Sequence, residues 1–400
     1  MHMRYFLLLA ATFGLLGTAQ GQTEWNQMSS CPGAGRFWAT ATGNSTTAIA
    51  GTGRLQFSGV NNTVADMWRY DAPTDTWSEM PAYPGGVREG ADAFTIGERL
   101  FVGFGSPFIQ FTNDLYEYIP STNSWVQMPS VPGVTGFAYS HGFVIGNTYY
   151  IGPENGVGTV YAFNADTETW STVAPFPGED RRAQCAFSAG GKGYLGMGAG
   201  VFSGVYGDWW EYDPLADTWT EVASISPVSD QSTATQVNDR GYVFNVGGNQ
   251  RNLHAYDVPG DEWLFQSTLP TDRIANGTLF SIGGQGYLVF GQKTVSGGNF
   301  SSNELWRFSP INTGVGEVER PFGLQATAMA DGTLVLRSQE PLMHAAQLDV
   351  LDGIGRTVYT TGVSAGTPVQ LVIPAAGRAG LRLIRLRSAA GVEVLRVAME

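Results

Sequence analysis

Asp208-Trp209-Trp210-Glu211-Tyr212-Asp213-Pro214-Leu215-Ala216-Asp217-Thr218-Trp219 is the stretch whose reading decides the fold. Alternating aromatics place Trp210 and Tyr212 on one face of a strand. A Pro/Asp turn follows, and Trp219 opens the next strand. The same spacing returns in Trp68/Tyr70 with Trp77, Tyr116/Tyr118 with Trp125, Tyr161/Phe163 with Trp170, and His254/Tyr256 with Trp263. The aromatic pairs and the Trp residues serve packing, and Asp71, Asp213 and Asp257 form turns.

The two ends of the array are complementary. Trp306 and Phe308 form a sixth aromatic pair, but Val315 stands where its Trp belongs. Trp25 is a Trp without a pair. A chain that starts with the half-unit its end lacks can close into a ring and leave no open sheet edge.

Four hundred residues with 53 Gly and 12% aromatics suit a large all-β ring of tight turns and big rings. The formal net charge of −13 argues against nucleic acid and anionic membranes as partners. Residues 1–21 carry Arg4, an apolar run and small residues, the pattern of a secretory signal peptide. No later stretch is apolar enough for a membrane span. The expectation is a secreted, extracellular monomer, either released or attached at the cell surface. Cys31 and Cys185 fall in units far apart around a ring, so free thiols are expected, with Cys185 buried. Two Cys and four His leave little material for a metal site, and no cofactor is expected.

Between the aromatic motifs lie apolar strands ending in Gly, such as Tyr242-Val243-Phe244-Asn245-Val246-Gly247-Gly248. Combined with Trp210-Glu211-Tyr212-Asp213 and Trp219, this resembles the Kelch repeat. The resemblance spans residues 22–310 and implies a six-bladed β-propeller of four-stranded antiparallel blades, closed by the Trp25 strand. Blade 3 departs from the pattern, with Gly152-Pro153 in place of a glycine pair and Gly136 where other blades have Arg.

Residues 311–320 read as a linker, and residues 321–400 as a small all-β sandwich without Trp. Leu351-Asp352-Gly353-Ile354-Gly355-Arg356-Thr357-Val358 and Ala379-Gly380-Leu381-Arg382-Leu383-Ile384-Arg385-Leu386 resemble the C-terminal sorting domain of bacterial type IX secretion. That resemblance implies the type IX secretion machinery as a partner. Leu381 stands where the family usually has an aromatic, and Arg396 is what remains of its terminal Lys pair.

In a Kelch-like propeller the first strand of each blade lines the central channel. Ten to twelve residues beyond each Trp stand Arg36, Arg88, Gly136, Arg182, Asp230 and Arg273, with Glu89 and Arg181 adjacent. Six-fold geometry would gather these near one opening. Guanidiniums there could fork onto the carboxylate of a ligand such as an acidic sugar. They could equally bond neighbouring blades. His141 reads as a hydrogen-bonded core residue or a base.

The expected function is a non-catalytic recognition or adhesion module for glycan or protein. Its contacts would come from the loop segments 57–65, 106–113, 199–207 and 292–302. The alternative is a sugar-active enzyme resembling the sialic acid mutarotases. In it Arg88, Arg182 and Arg273 would clamp the substrate and Glu89 or Asp230 would act as acid and base. A copper oxidase of the galactose oxidase type lacks the histidines it would need.

Overall fold

In the computed structural model the described residues are 23–57, 60–108, 110–153, 158–200, 204–295 and 298–310, with the strands between 324 and 399. The expected signal peptide and linker lie outside them. The chain divides into two compact units, Met1–Ile311 and Asn312–Glu400.

The first unit is a six-bladed Kelch-type β-propeller. Blade 1 is Thr40–Gly43, Thr47–Gly51, Met67–Asp71 and Thr76–Met80, ordered from the channel outward. Blades 2 to 5 repeat this antiparallel order, starting at Asp92–Ile96, Phe143–Ile145, Cys185–Ala189 and Thr233–Val237. Blade 6 takes Thr278–Ile282, Gln285–Val289 and Leu305–Phe308 from the end of the unit, and Trp25–Met28 from its start. Trp25 pairs with Phe308 and Met28 with Leu305, so the first strand closes the ring. The second strands are buried on both faces. Ile49, Val102, Tyr149, Leu195, Val243 and Leu288 are at most 1% exposed.

The repeated Trp residues do more than pack. The indole N–H of Trp77 donates to the carbonyl of Ser29, just beyond the outer strand of the preceding blade, at 2.7 Å. Trp125, Trp170, Trp219 and Trp263 do the same to Pro81, Pro129, Ala174 and Ala223 at 2.7–3.0 Å. Two residues before each Trp sits a second hook. Asp75, Asp217 and Asp261 accept the backbone N–H of Ser29, Ala174 and Ala223 at 2.8–3.0 Å. Each also accepts the Tyr hydroxyl five residues earlier, from Tyr70, Tyr212 and Tyr256. One residue of the preceding blade is thus gripped at both its N–H and its C=O. Pro81 and Pro129 have no N–H to give, and there Asn123 or Glu168 stands in place of the Asp. At the seam Thr23 and Trp25 occupy these places, and Thr23 Oγ1 and Trp25 Nε1 are buried without a partner among the described residues. The sixth blade is closed by strand pairing without this clamp.

Both cysteines are free and buried. Burial pushes the Cys31 thiol up to about 11 and the Cys185 thiol up to about 12. Three of the segments expected as contact loops carry short hairpins: Arg54–Phe57 with Val60–Thr63, Ala199–Gly200 with Gly204–Val205, and Gln292–Val295 with Gly298–Ser301. Among the described residues no helix is long and apolar enough to cross a membrane.

The second unit pairs a three-stranded sheet, Leu324–Ala328, Leu334–Pro341 and Pro368–Ile373, with a four-stranded one. The latter runs Thr357–Val363, Ala346–Leu351, Gly380–Ser388, Gly391–Met399. Leu336, Leu348, Val350 and Ile384 are fully buried, as the core of a β-sandwich requires.

Asp217→Ala removes acceptors for one hydroxyl and one backbone N–H across a blade junction. It is expected to lower stability by about 2 kcal/mol, read as a fall in the urea midpoint. A midpoint unchanged from the parent protein would contradict the clamp.

Candidate functional site

The arginines before the inner strands divide into two kinds. Arg36, Arg88 and Arg181 are 2% exposed or less and turn into their own blades. Arg36 forks onto Asp66 with two 2.8 Å bonds. Arg88 holds Asp114 at 2.7 and 3.0 Å, and Arg181 holds Asp208 at 2.7 and 2.8 Å. Each also donates to the carbonyl that ends the second strand, on Thr52, Phe104 or Met197. Aromatic faces cover them, Tyr83 over Arg88 at 4.3 Å and Phe176 over Arg181 at 5.0 Å. A Gly stands three residues before each Arg to make room. A Cβ at Gly85 would lie 2.2 Å from Arg88 and Asp114. Burial raises the Asp66 and Asp208 carboxyls, but bonds and charge from Arg36 and Arg181, with the indoles of Trp68 and Trp210, hold both below the usual range. Arg36 and Arg88, named as ligand contacts from sequence, are therefore occupied inside the blades.

Blade 3 has Phe137 in this place, since Phe137 bridges Thr112 as Arg88 bridges Val64. Gly136 beside it adopts φ +149°, and a Cβ there would lie 2.2 Å from the Thr112 backbone. Counting from Trp170 selects Arg182, but the blade-bonding residue is Arg181. Arg182 is the next residue and is exposed. Glu89 follows Arg88 in the same way.

The mouth of the channel is built by the residue after these. Trp38, Gly90, Tyr139, Ala183 and Asn276 all have φ between 51° and 62°, the left-handed region that costs non-glycine residues energy. That bend lets neighbouring blades bond directly. Gly90 N–H donates to Trp38, Tyr139 N–H to Gly90, Trp38 N–H to Asn276 and Asn276 N–H to Gln231, at 2.8–3.1 Å. Over this belt the Trp38 and Tyr139 rings meet edge to face at 5.3 Å, above the side-chain-free Gly90.

Glu89, 1% exposed, anchors the cluster. It pairs with Arg54 and accepts the Tyr139 hydroxyl at 2.5 Å. Arg54 also lies 5.0 Å over the Trp38 ring. Burial, then the Glu89 bond and charge, raise the Tyr139 phenol above its ordinary value, against the pull of the Arg54 and Arg182 guanidiniums. Tyr139 thus stays a neutral hydroxyl with Arg182 nearby. A small cavity of about 40 Å³ opens here, and its lining includes Trp38, Tyr139, His141, Asp230 and Asn276. Asp230 is exposed, and Arg182 has no side-chain partner among the described residues. Arg273 sits lower, half-buried, bonding Gln231 Oε1 at 2.7 Å and the Val246 carbonyl at 3.3 Å. Burial lowers its guanidinium from its usual value.

Below the mouth the channel widens to about 310 Å³, lined by hydroxyls and amides such as Thr42, Thr95, Ser188 and Gln236. Asp92 and His141 are the titratable side chains of its lining. Among the described residues no group of three or more His, Cys, Asp or Glu could hold a metal ion.

No protein-family profile matches the chain. An alignment over 120 residues, which covers 27% of the chain, is 34% identical to N-acetylneuraminate epimerase of Pasteurella multocida (strain Pm70). The chain covers 30% of that relative's length. Among solved structures, YjhT superposes with a TM-score of 0.56 at 18% identity, covering 69% of this chain and 95% of YjhT. That likeness is one of fold. The match to a protein named as an epimerase overturns the expectation of a non-catalytic recognition or adhesion module.

The two kinds of arginine separate on substitution. Arg88→Ala leaves Asp114 without its guanidinium and is expected to cost about 3 kcal/mol, whereas Arg182→Ala stays within about 0.5 kcal/mol of the parent. Equal losses in thermal or urea unfolding would contradict the division.

Proposed function

We propose that this protein is an enzyme acting on an acidic sugar at the mouth of the propeller channel, exchanging the configuration at the anomeric carbon. The observation that carries the reading is that Asp230, Trp38 and Tyr139 line one opening, and that Arg182, next in sequence to Ala183 of that lining and close enough to act on the Tyr139 phenol, has no side-chain partner among the described residues. Arg182 forks onto the sugar carboxylate. Trp38 and Tyr139 offer flat apolar surface to the ring's C–H face. Asp230 exchanges a proton with a sugar oxygen. Glu89, held by Arg54 and Tyr139, is a positioning residue that keeps the Tyr139 ring and hydroxyl in place. The partial likeness to N-acetylneuraminate epimerase supports this substrate class.

The test is a thermal-shift series with N-acetylneuraminate, glucuronate and glucose. The acidic sugars are expected to raise the melting temperature, and Arg182→Ala to abolish the rise. Stabilisation by glucose equal to that by the acids, or undiminished in Arg182→Ala, would sink the reading.

We propose that residues 1–21 are a signal peptide and that residues 321–400 are a type IX sorting domain, giving a secreted or surface-attached protein. The Gly-turn motifs and the sandwich of the second unit support it. In a type IX-competent host, fusing 321–400 behind an exported reporter should place the reporter outside the cell. A reporter that stays in the periplasm would refute the assignment.

A further inference from the structure

His141 stands where two cavities meet. It lines both the channel of about 310 Å³ and the mouth pocket of about 40 Å³. Its side chain is 34% exposed, and its Nδ1 lies 3.0 Å from Asp92 Oδ1. Asp92 is itself fixed, because its Oδ2 accepts the Gly142 N–H at 3.0 Å and the Tyr149 hydroxyl at 2.5 Å. Asp92 comes from the inner strand of blade 2, and the three groups that bond it come from blade 3. A carboxylate on Nδ1 places the imidazole proton there and leaves the Nε2 lone pair to accept. No described residue bonds Nε2. A merely structural histidine would use both nitrogens or bury the second. This one keeps Nε2 without a described partner on an oriented ring that lines both cavities, one of them shared with Asp230.

We infer that His141 is the catalytic base that takes the anomeric proton, with Asp92 as its positioning residue. The assignment rests on the sugar reading above and deepens it. Nε2 accepts the proton of the anomeric hydroxyl while the bond from the anomeric carbon to the ring oxygen breaks. That electron pair goes to the ring oxygen, which takes a proton from a water held by Asp230. The open-chain carbonyl turns over and recloses on its other face. The new ring hydroxyl gives its proton back to water, and His141 returns its own to the new anomeric oxygen. No proton or electron is consumed.

The experiment follows anomer exchange of N-acetylneuraminate by proton NMR, using the full chain. His141→Gln is expected to lower kcat at least ~100-fold, with KM within about threefold of the parent. A folded His141→Gln whose kcat stays within about threefold of the parent overturns the assignment alone. A parent protein that does not accelerate exchange overturns the sugar reading and this assignment together. Nitrogen-15 NMR of the parent gives a measurement independent of folding in any variant. Neutral His141 should carry its proton on Nδ1, and a proton on Nε2 overturns the proposal.

Discussion

The structure depends on how one blade holds the next. An indole N–H and a carboxylate two residues earlier grip the two backbone polar groups of one residue at the edge of the preceding blade. Buried or half-buried backbone groups at a sheet's end need partners, and the clamp supplies them while fixing the angle between sheets. Where the gripped residue is Pro81 or Pro129, the N–H is gone and so is the Asp. The chemistry of the hook follows the chemistry of what it holds. Hydrophobic packing of rings such as Phe94 on Tyr149, centroids 3.7 Å apart, then fills the space that the clamps define.

Ring closure turns this local device into a site. Pairing of Trp25–Met28 with Leu305–Phe308 sets six blades around one axis. Only in a closed ring do residues from all six blades face one opening. A belt of backbone bonds through Trp38, Gly90, Tyr139, Asn276 and Gln231 ties neighbouring blades together at that opening. Its left-handed residues hold strained conformations in the service of the mouth. The buried Arg–Asp forks beneath it carry charge too, but that charge is already neutralised inside the blades. What faces outward is the set left over: Arg182, Asp230 and the ring faces of Trp38 and Tyr139.

The fold was legible because a repeat multiplies weak signals. The Trp spacing, the Tyr-Asp turns and the orphan Trp25 set blade number and closure without any tertiary information. The site was less legible, because connectors between blades differ by a residue and counting from Trp slips. It chose Arg182 beside the blade-bonding Arg181, and Gly136 beside Phe137. The signal that distinguishes the two kinds of Arg is present in the chain. Gly33, Gly85 and Gly178 each precede a buried Arg by three residues, and an Asp follows 26 to 30 residues on. The pairing of Trp38 with Tyr139 and of His141 with Asp92 had no such signal, because those contacts cross between blades and obey no fixed spacing.

The central claim is that the mouth, rather than the rim loops or the far end of the channel, takes an acidic sugar. A crystal structure with N-acetylneuraminate tests it most directly. Density for the sugar is predicted against Trp38 and Tyr139, its carboxylate forked by Arg182 and its anomeric hydroxyl toward His141. Density seated on the hairpin tips, or a fully occupied sugar elsewhere with an empty mouth, would contradict it.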